Sequence, residues 1–298
     1  MTLPHLHPAG AAEDSLFAPL LRARKWSHRT RVILANLLWI AALVAVCFLP
    51  RIPIGPDYHQ FADKRTFLSL PNAPDVISNL PFVIVGLWAL IWLAQARSRR
   101  AFIDPRERIP YLIFFAGVVL TGVGSWWYHL APSNSRLPWD LLPMTSSFLS
   151  LVVGAWMERV NLRIGLLALF PVLVLGIASV AWWHFTACHG RDDYKFYLFV
   201  QFFSPLELAC IVTLFPPRYT GMRYLVVAFV LYVLAKLFER LDSSIFAFGL
   251  IVSGHTLKHV TAAVACWWIL RMLQLRHPIH GSLRPLSTEH DAQPAQDQ

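Results

Sequence analysis

The sequence predicts an all-α, polytopic membrane protein. Of its 298 residues 56% are hydrophobic and only 14% are charged, and the mean hydropathy of +0.49 lies outside the range of ordinary soluble domains. Its apolar runs reach the roughly 17 to 25 residues that a helix needs to cross a bilayer. None has the short alternating pattern of an outer-membrane strand, which excludes a barrel.

Eight spans follow in order: Val32 to Leu49, Val76 to Ala94, Ile109 to Leu130, Trp139 to Met157, Leu162 to Trp183, Phe196 to Phe215, Tyr224 to Glu239 and Phe246 to Leu273. Asn72 to Asp75, with Pro71 and Pro74, reads as a cap before the second span, and Pro138 suits the first turn of the fourth. The fourth contains Asp140 and the seventh contains Lys236 and Glu239, so a count of seven follows if one of them is re-entrant. In the eighth, Ser253 and Gly254 permit a break or a close backbone approach just before His255.

The domain plan is a cytoplasmic, disordered tail over 1–31, a transmembrane helix over 32–49, an external loop over 50–75, a helical core over 76–273 and a second disordered cytoplasmic tail over 274–298. The first span lacks a small-residue cleavage site and reads as a retained anchor. Arg29 and Arg31, Arg99 and Arg100, Arg159 and Arg163, and Arg271 and Arg276 fall on alternate connections. By the positive-inside rule both termini are cytoplasmic, and the compact loops suit a bacterial inner membrane. The net charge of +9 is therefore a topology signal. With no soluble face to gather the basic residues, nucleic acid is not an expected partner. The four cysteines suggest no disulfide framework.

His255 and His259 stand four residues apart, on one face of a helix at metal-ligand spacing. Ser125 and His129 repeat that spacing in GSWWYHLAP, and Asp140 heads the following span. The topology brings all five to the outer half of the membrane. Three neutral imidazoles with one open position describe a catalytic zinc centre, at which Asp140 would handle the water proton and Ser125 would support an oxyanion. Ionisable groups within spans are costly and by default mark a site. Glu207, Lys236, Glu239 and Asp242 read as structural ion pairs, with a second-shell role open to Glu207.

The order of S-x-x-x-H (Ser125, His129), an acid at the next helix start (Asp140) and H-x-x-x-H (His255, His259) resembles the alkaline ceramidase family. That family belongs to a superfamily of seven-helix membrane proteins that includes the progestin and adipoQ receptors and lipid-remodelling hydrolases. The resemblance runs from about Asp57 to Leu273 and implies a seven-helix core plus one additional N-terminal transmembrane helix. It implies that His129, His255 and His259 bind Zn2+, and that a ceramide-like lipid is cleaved at its amide to a sphingoid base and a fatty acid. The stretch PNAPDVISNLPF is similar to the start of that family's first core helix, which follows a calcium site. Asp57, Asp63 and Asn72 are the oxygen ligands this chain offers for Ca2+, at altered spacing and with fewer acids.

The leading expectation is thus an intramembrane zinc amidohydrolase. The alternatives are an ester-cleaving hydrolase, a lipid-sensing receptor with a structural zinc, and a histidine-based proton or solute pathway. The last would need ionisable groups toward the cytoplasmic half, where few are seen.

Overall fold

A computed structural model describes residues 26–279, and every ordered element within them is helical apart from isolated bridges. The tail residues 1–25 and 280–298 lie outside the described part. In chain order the α-helices are α1 His28–Phe48, α2 Ala73–Ile77, α3 Leu80–Ala94, α4 Arg108–Leu130, α5 Leu137–Arg159, α6 Leu162–Cys188, α7 Lys195–Leu214, α8 Met222–Arg240, α9 Asp242–Gly249 and α10 Gly254–Leu275.

Among the described residues six helical segments are long and apolar enough to cross a membrane: His28–Phe48, Ala73–Ala94, Pro105–Leu130, Leu137–Arg159, Leu162–Cys188 and Lys195–Leu214. Two further helices have the length, α8 with 19 residues and α10 with 22. Lys236 and Glu239 in α8, and Lys258 with the two histidines in α10, make these two more polar, and neither is among the six.

The boundaries depart from the sequence reading at three places. The second span is interrupted into α2 and α3 at Ser78 and Asn79. Pro81 has no N–H to continue the ladder, and the Asn79 N–H turns to the Val76 carbonyl at 3.3 Å. The eighth is not one helix from Phe246: α9 stops at Gly249, Leu250 turns with φ 53°, and α10 starts afresh with Ser253 as its cap, accepting from the Thr256 N–H at 3.1 Å. Residues 274–279, read as tail, complete α10 and fold back: the Thr220 N–H donates to the His277 carbonyl at 2.9 Å, and buried Arg276 donates to the Ala101 carbonyl at 2.9 Å.

Within the bundle α5 packs against α4, α6 and α7, while α10 packs against α8 and α3. The first helix stands apart: only 6% of its apolar window is buried, against 50 to 56% for the segments containing α3, α4 and α5. It touches α7, where the Arg31 guanidinium donates to the Leu214 carbonyl at 2.9 Å and Ala35 is fully buried.

Between α4, α5, α7, α8 and α10 lies a largely apolar cavity of about 180 Å³. That exceeds the roughly 150 Å³ space that admits a benzene ring in an engineered core. Phe114, Val118, Phe148, Leu151 and Ile269 line its length, and Ser125, Asp140 and His259 line its polar end.

Candidate metal centre

His129 occupies the last turn of α4, and His255 and His259 the first two turns of α10. All three are buried, at 1%, 6% and 4% exposure. Glycine permits the approach: a Cβ on Gly254 would run into the Phe238 carbonyl and the Asp242 backbone, so the start of α10 can nest against the end of α8 only without a side chain there. Asp242 completes this anchor by accepting from the His255 N–H at 2.7 Å. A carboxylate is well placed at a helix N-terminus, where unpaired N–H groups and the macrodipole favour negative charge.

The ring centroids are 4.9 Å apart for His129 and His255, 5.0 Å for His129 and His259, and 4.7 Å for His255 and His259. One nitrogen of each ring lies within 4.8 Å of the others, and no other such group of three His, Cys, Asp or Glu residues occurs among the described residues. The Nε2 atoms of His129 and His255 are 3.3 Å apart. Two imidazoles sharing a tetrahedral zinc at about 2.0–2.1 Å would have their nitrogens about 3.3 Å apart.

The His259 tautomer follows from its neighbours. The Ser78 hydroxyl donates its single hydrogen to the Asp75 carbonyl at 2.9 Å, so toward His259 Nδ1, at 2.8 Å, it can only accept. The proton is therefore on Nδ1, and Nε2 keeps its lone pair for a metal. The interruption between α2 and α3 makes this contact available, because it leaves the Asp75 carbonyl to Ser78 and to the Asn79 amide at 2.8 Å. The buried Asp75 carboxylate accepts from the Thr256 hydroxyl at 2.7 Å, tying α2 to the turn between the two α10 histidines. His129 is less constrained, and its Nδ1 is buried with no partner.

Ser125 and Asp140 lie at the same end of the cavity as His259. Ser125 is 2% exposed and Asp140 9%. A Cβ on Gly124 would collide with the Trp139 carbonyl, so this glycine lets α4 meet the first turn of α5 and sets Ser125 against Asp140. Asp140 is not among the clustered ligand groups. Beside it, Lys236 and Lys258 both pair with Glu239, the latter at 3.0 Å, and the three residues line the same cavity.

The remaining candidate residues are engaged elsewhere. The Glu207 carboxylate accepts from Trp156 Nε1 at 3.3 Å and touches no histidine, so the second-shell reading is corrected to a contact between α7 and α5. The calcium set does not assemble. Asp57 is exposed, and the Asn72 side chain, rather than capping α2, donates to the His129 carbonyl at 2.9 Å. Asp63 holds Arg65 through two side-chain contacts of 2.8 and 2.6 Å. Burial alone would raise the Asp63 carboxyl, but the side-chain and backbone N–H groups of Arg65 outweigh it and hold the group below the usual range.

Sequence reasoning missed Ser78, Asp75 and Phe61. The polar pair Asp75 and Ser78, three residues apart at the head of an apolar run, was a usable signal. Phe61, whose ring centroid lies 4.6 Å from that of His129 and 4.3 Å from that of His255, had none. Comparison of the chain with protein-family models gives no match, and comparison with curated proteins gives none either.

Proposed function

We propose that this protein is a zinc-dependent membrane hydrolase that cleaves the amide bond of ceramide or a related lipid amide. The observation carrying this reading is a cluster of three imidazoles, one of which, His259, lines the polar end of an apolar cavity together with the Asp140 carboxylate and the Ser125 hydroxyl. Three clustered ligand groups without a fourth His, Cys, Asp or Glu among the described residues suit a catalytic site with an open position better than a closed structural one. That weighs against the receptor with a structural zinc.

His129, His255 and His259 would hold the metal, which when bound supplies Lewis acidity toward water and a carbonyl. The lipid enters with its acyl chain along the cavity, whose lining on α8 runs from Leu225 to Glu239, roughly 20 Å at about 1.5 Å per residue. Asp140 takes a proton from the attacking water as its oxygen bonds to the amide carbon. Ser125 donates a hydrogen bond to the carbonyl oxygen as negative charge develops there. The C–N bond then breaks, the proton passes from Asp140 to the departing nitrogen, and a fatty acid and a sphingoid base leave.

The same reading takes α3 to α8 and α10 as a seven-helix core, with α1 as an additional helix. It puts the protein in a bacterial inner membrane with both termini cytoplasmic and the histidines in the outer half. The arginines at the ends of the connections support that orientation.

The test is fatty-acid release from ceramides and matched ester lipids by purified protein, with metal content measured on the same sample. Chelator-sensitive amide cleavage with one zinc per chain is expected. Cleavage of esters alone moves the substrate to an ester lipid, and metal without turnover favours the receptor.

A further inference from the structure

The connection between α1 and α2 has no helix of its own, yet it is pinned above the imidazoles. Phe61 is 8% exposed and lies tilted against the rings of both His129 and His255. The next residue is fixed by the same acid that anchors α10: the Ala62 N–H donates to the second Asp242 oxygen at 2.9 Å. Two residues before Phe61, His59 bridges Tyr128 and Asn134, at 2.8 Å each.

Arg65 closes this arrangement. Besides its two side-chain contacts to Asp63, its guanidinium donates to the carbonyls of Leu250 at 3.2 Å and Ile251 at 2.7 Å, and lies 5.5 Å from the centre of the Phe246 ring. Those carbonyls belong to the break between α9 and α10, where helix ends leave acceptors without intrahelical partners. A carboxylate and two carbonyls form an oxygen set that a hard cation would fill, and here a planar guanidinium with several donors fills it. The clamp therefore joins the Phe61 segment to the turn that leads into His255.

We propose that Arg65 is a positioning residue, a built-in cation that holds the Phe61 cap closed over the metal centre. The cap seals the loop side of the imidazoles and leaves the apolar cavity as the route by which ligands reach them. This rests on the metal reading of the three histidines. It predicts a slowly exchanging metal whose retention does not depend on added calcium.

The experiment measures transfer of zinc from the loaded full-length protein in detergent to a chromogenic chelator, with and without calcium. Arg65→Ala and Phe61→Ala should each release zinc about tenfold faster than wild type, in the range of losses on removing outer supports of metal sites. Arg65→Lys should lie between, since one ammonium cannot span both carboxylate oxygens and both carbonyls. Thermal midpoints recorded alongside identify a variant that fails to fold, in which case Phe61→Ala decides. Equal release from wild type and both alanine variants overturns the clamp while leaving the metal reading intact. Wild-type retention that depends on calcium also overturns it, and a wild-type chain that takes up no zinc overturns both readings.

Discussion

The two ends of the helix bundle each bury a polar cluster, and the clusters differ in kind. At the end of α5 opposite Asp140, Glu158 pairs with Arg276 at 2.7 Å, Glu107 with Arg218 at 3.6 Å, and the Tyr219 hydroxyl with Glu107. The Arg276 guanidinium lies 4.0 Å from the centre of the Tyr219 ring. Opposite charges there answer one another. At the other end three imidazoles converge with no acid in their cluster, and the acids nearby are engaged elsewhere: Asp75 with Thr256, Asp242 with backbone N–H groups. A set of like lone-pair donors cannot satisfy itself, whereas an ion-pair network can. The imidazole cluster therefore suits a site, and the ion-pair network a joint that fastens the end of α10 to α4 and α5.

That contrast can be broken in several ways. The largest effect is expected from His255→Ala, which should abolish zinc binding and turnover together, read by metal analysis and lipid hydrolysis on one preparation; unchanged zinc content would remove His255 from the ligand set. Asp140→Asn should keep the metal and lower the turnover rate by about 10² to 10⁴-fold, the usual contribution of a positioned acid or base. At the opposite end, Arg276→Met leaves Glu158 buried without its partner and should cost about 3–5 kcal/mol of stability, measured by denaturant unfolding in detergent. Zinc stoichiometry in that variant should be unchanged, and a loss would mean that the two ends are not independent. Ser78→Ala removes the acceptor of His259 Nδ1–H and should weaken zinc binding about 10- to 100-fold, seen in competition with a chelator of known affinity.

Much of the candidate site's geometry was legible because helix periodicity is a local rule. Spacing of four residues puts His255 over His259 and Ser125 below His129 whatever the rest of the chain does. Asp140 was legible because Pro138 marks the turn that carries it. What lay beyond sequence depends on contacts between distant segments. Ser78 meets His259 only because the helix breaks before Pro81, and Phe61 reaches the imidazoles only because Arg65 and Ala62 are held by residues about 180 positions away. Glu207 shows the converse error: a glutamate in an apolar run announces burial but not which neighbour it faces, and here it faces Trp156. The all-helical character and the long apolar helices were plain from hydropathy. The break in the second span at Ser78 was not, since hydropathy averages over it, whereas Ser253 and Gly254 did mark the interruption before His255.

The most direct test of the central claim is X-ray absorption at the zinc edge of the purified wild-type protein, with metal content determined in parallel. One zinc per chain with three imidazole nitrogens and one further light-atom ligand at about 2.0–2.1 Å is the predicted result. A sulfur ligand, a fourth imidazole, or no zinc would contradict it.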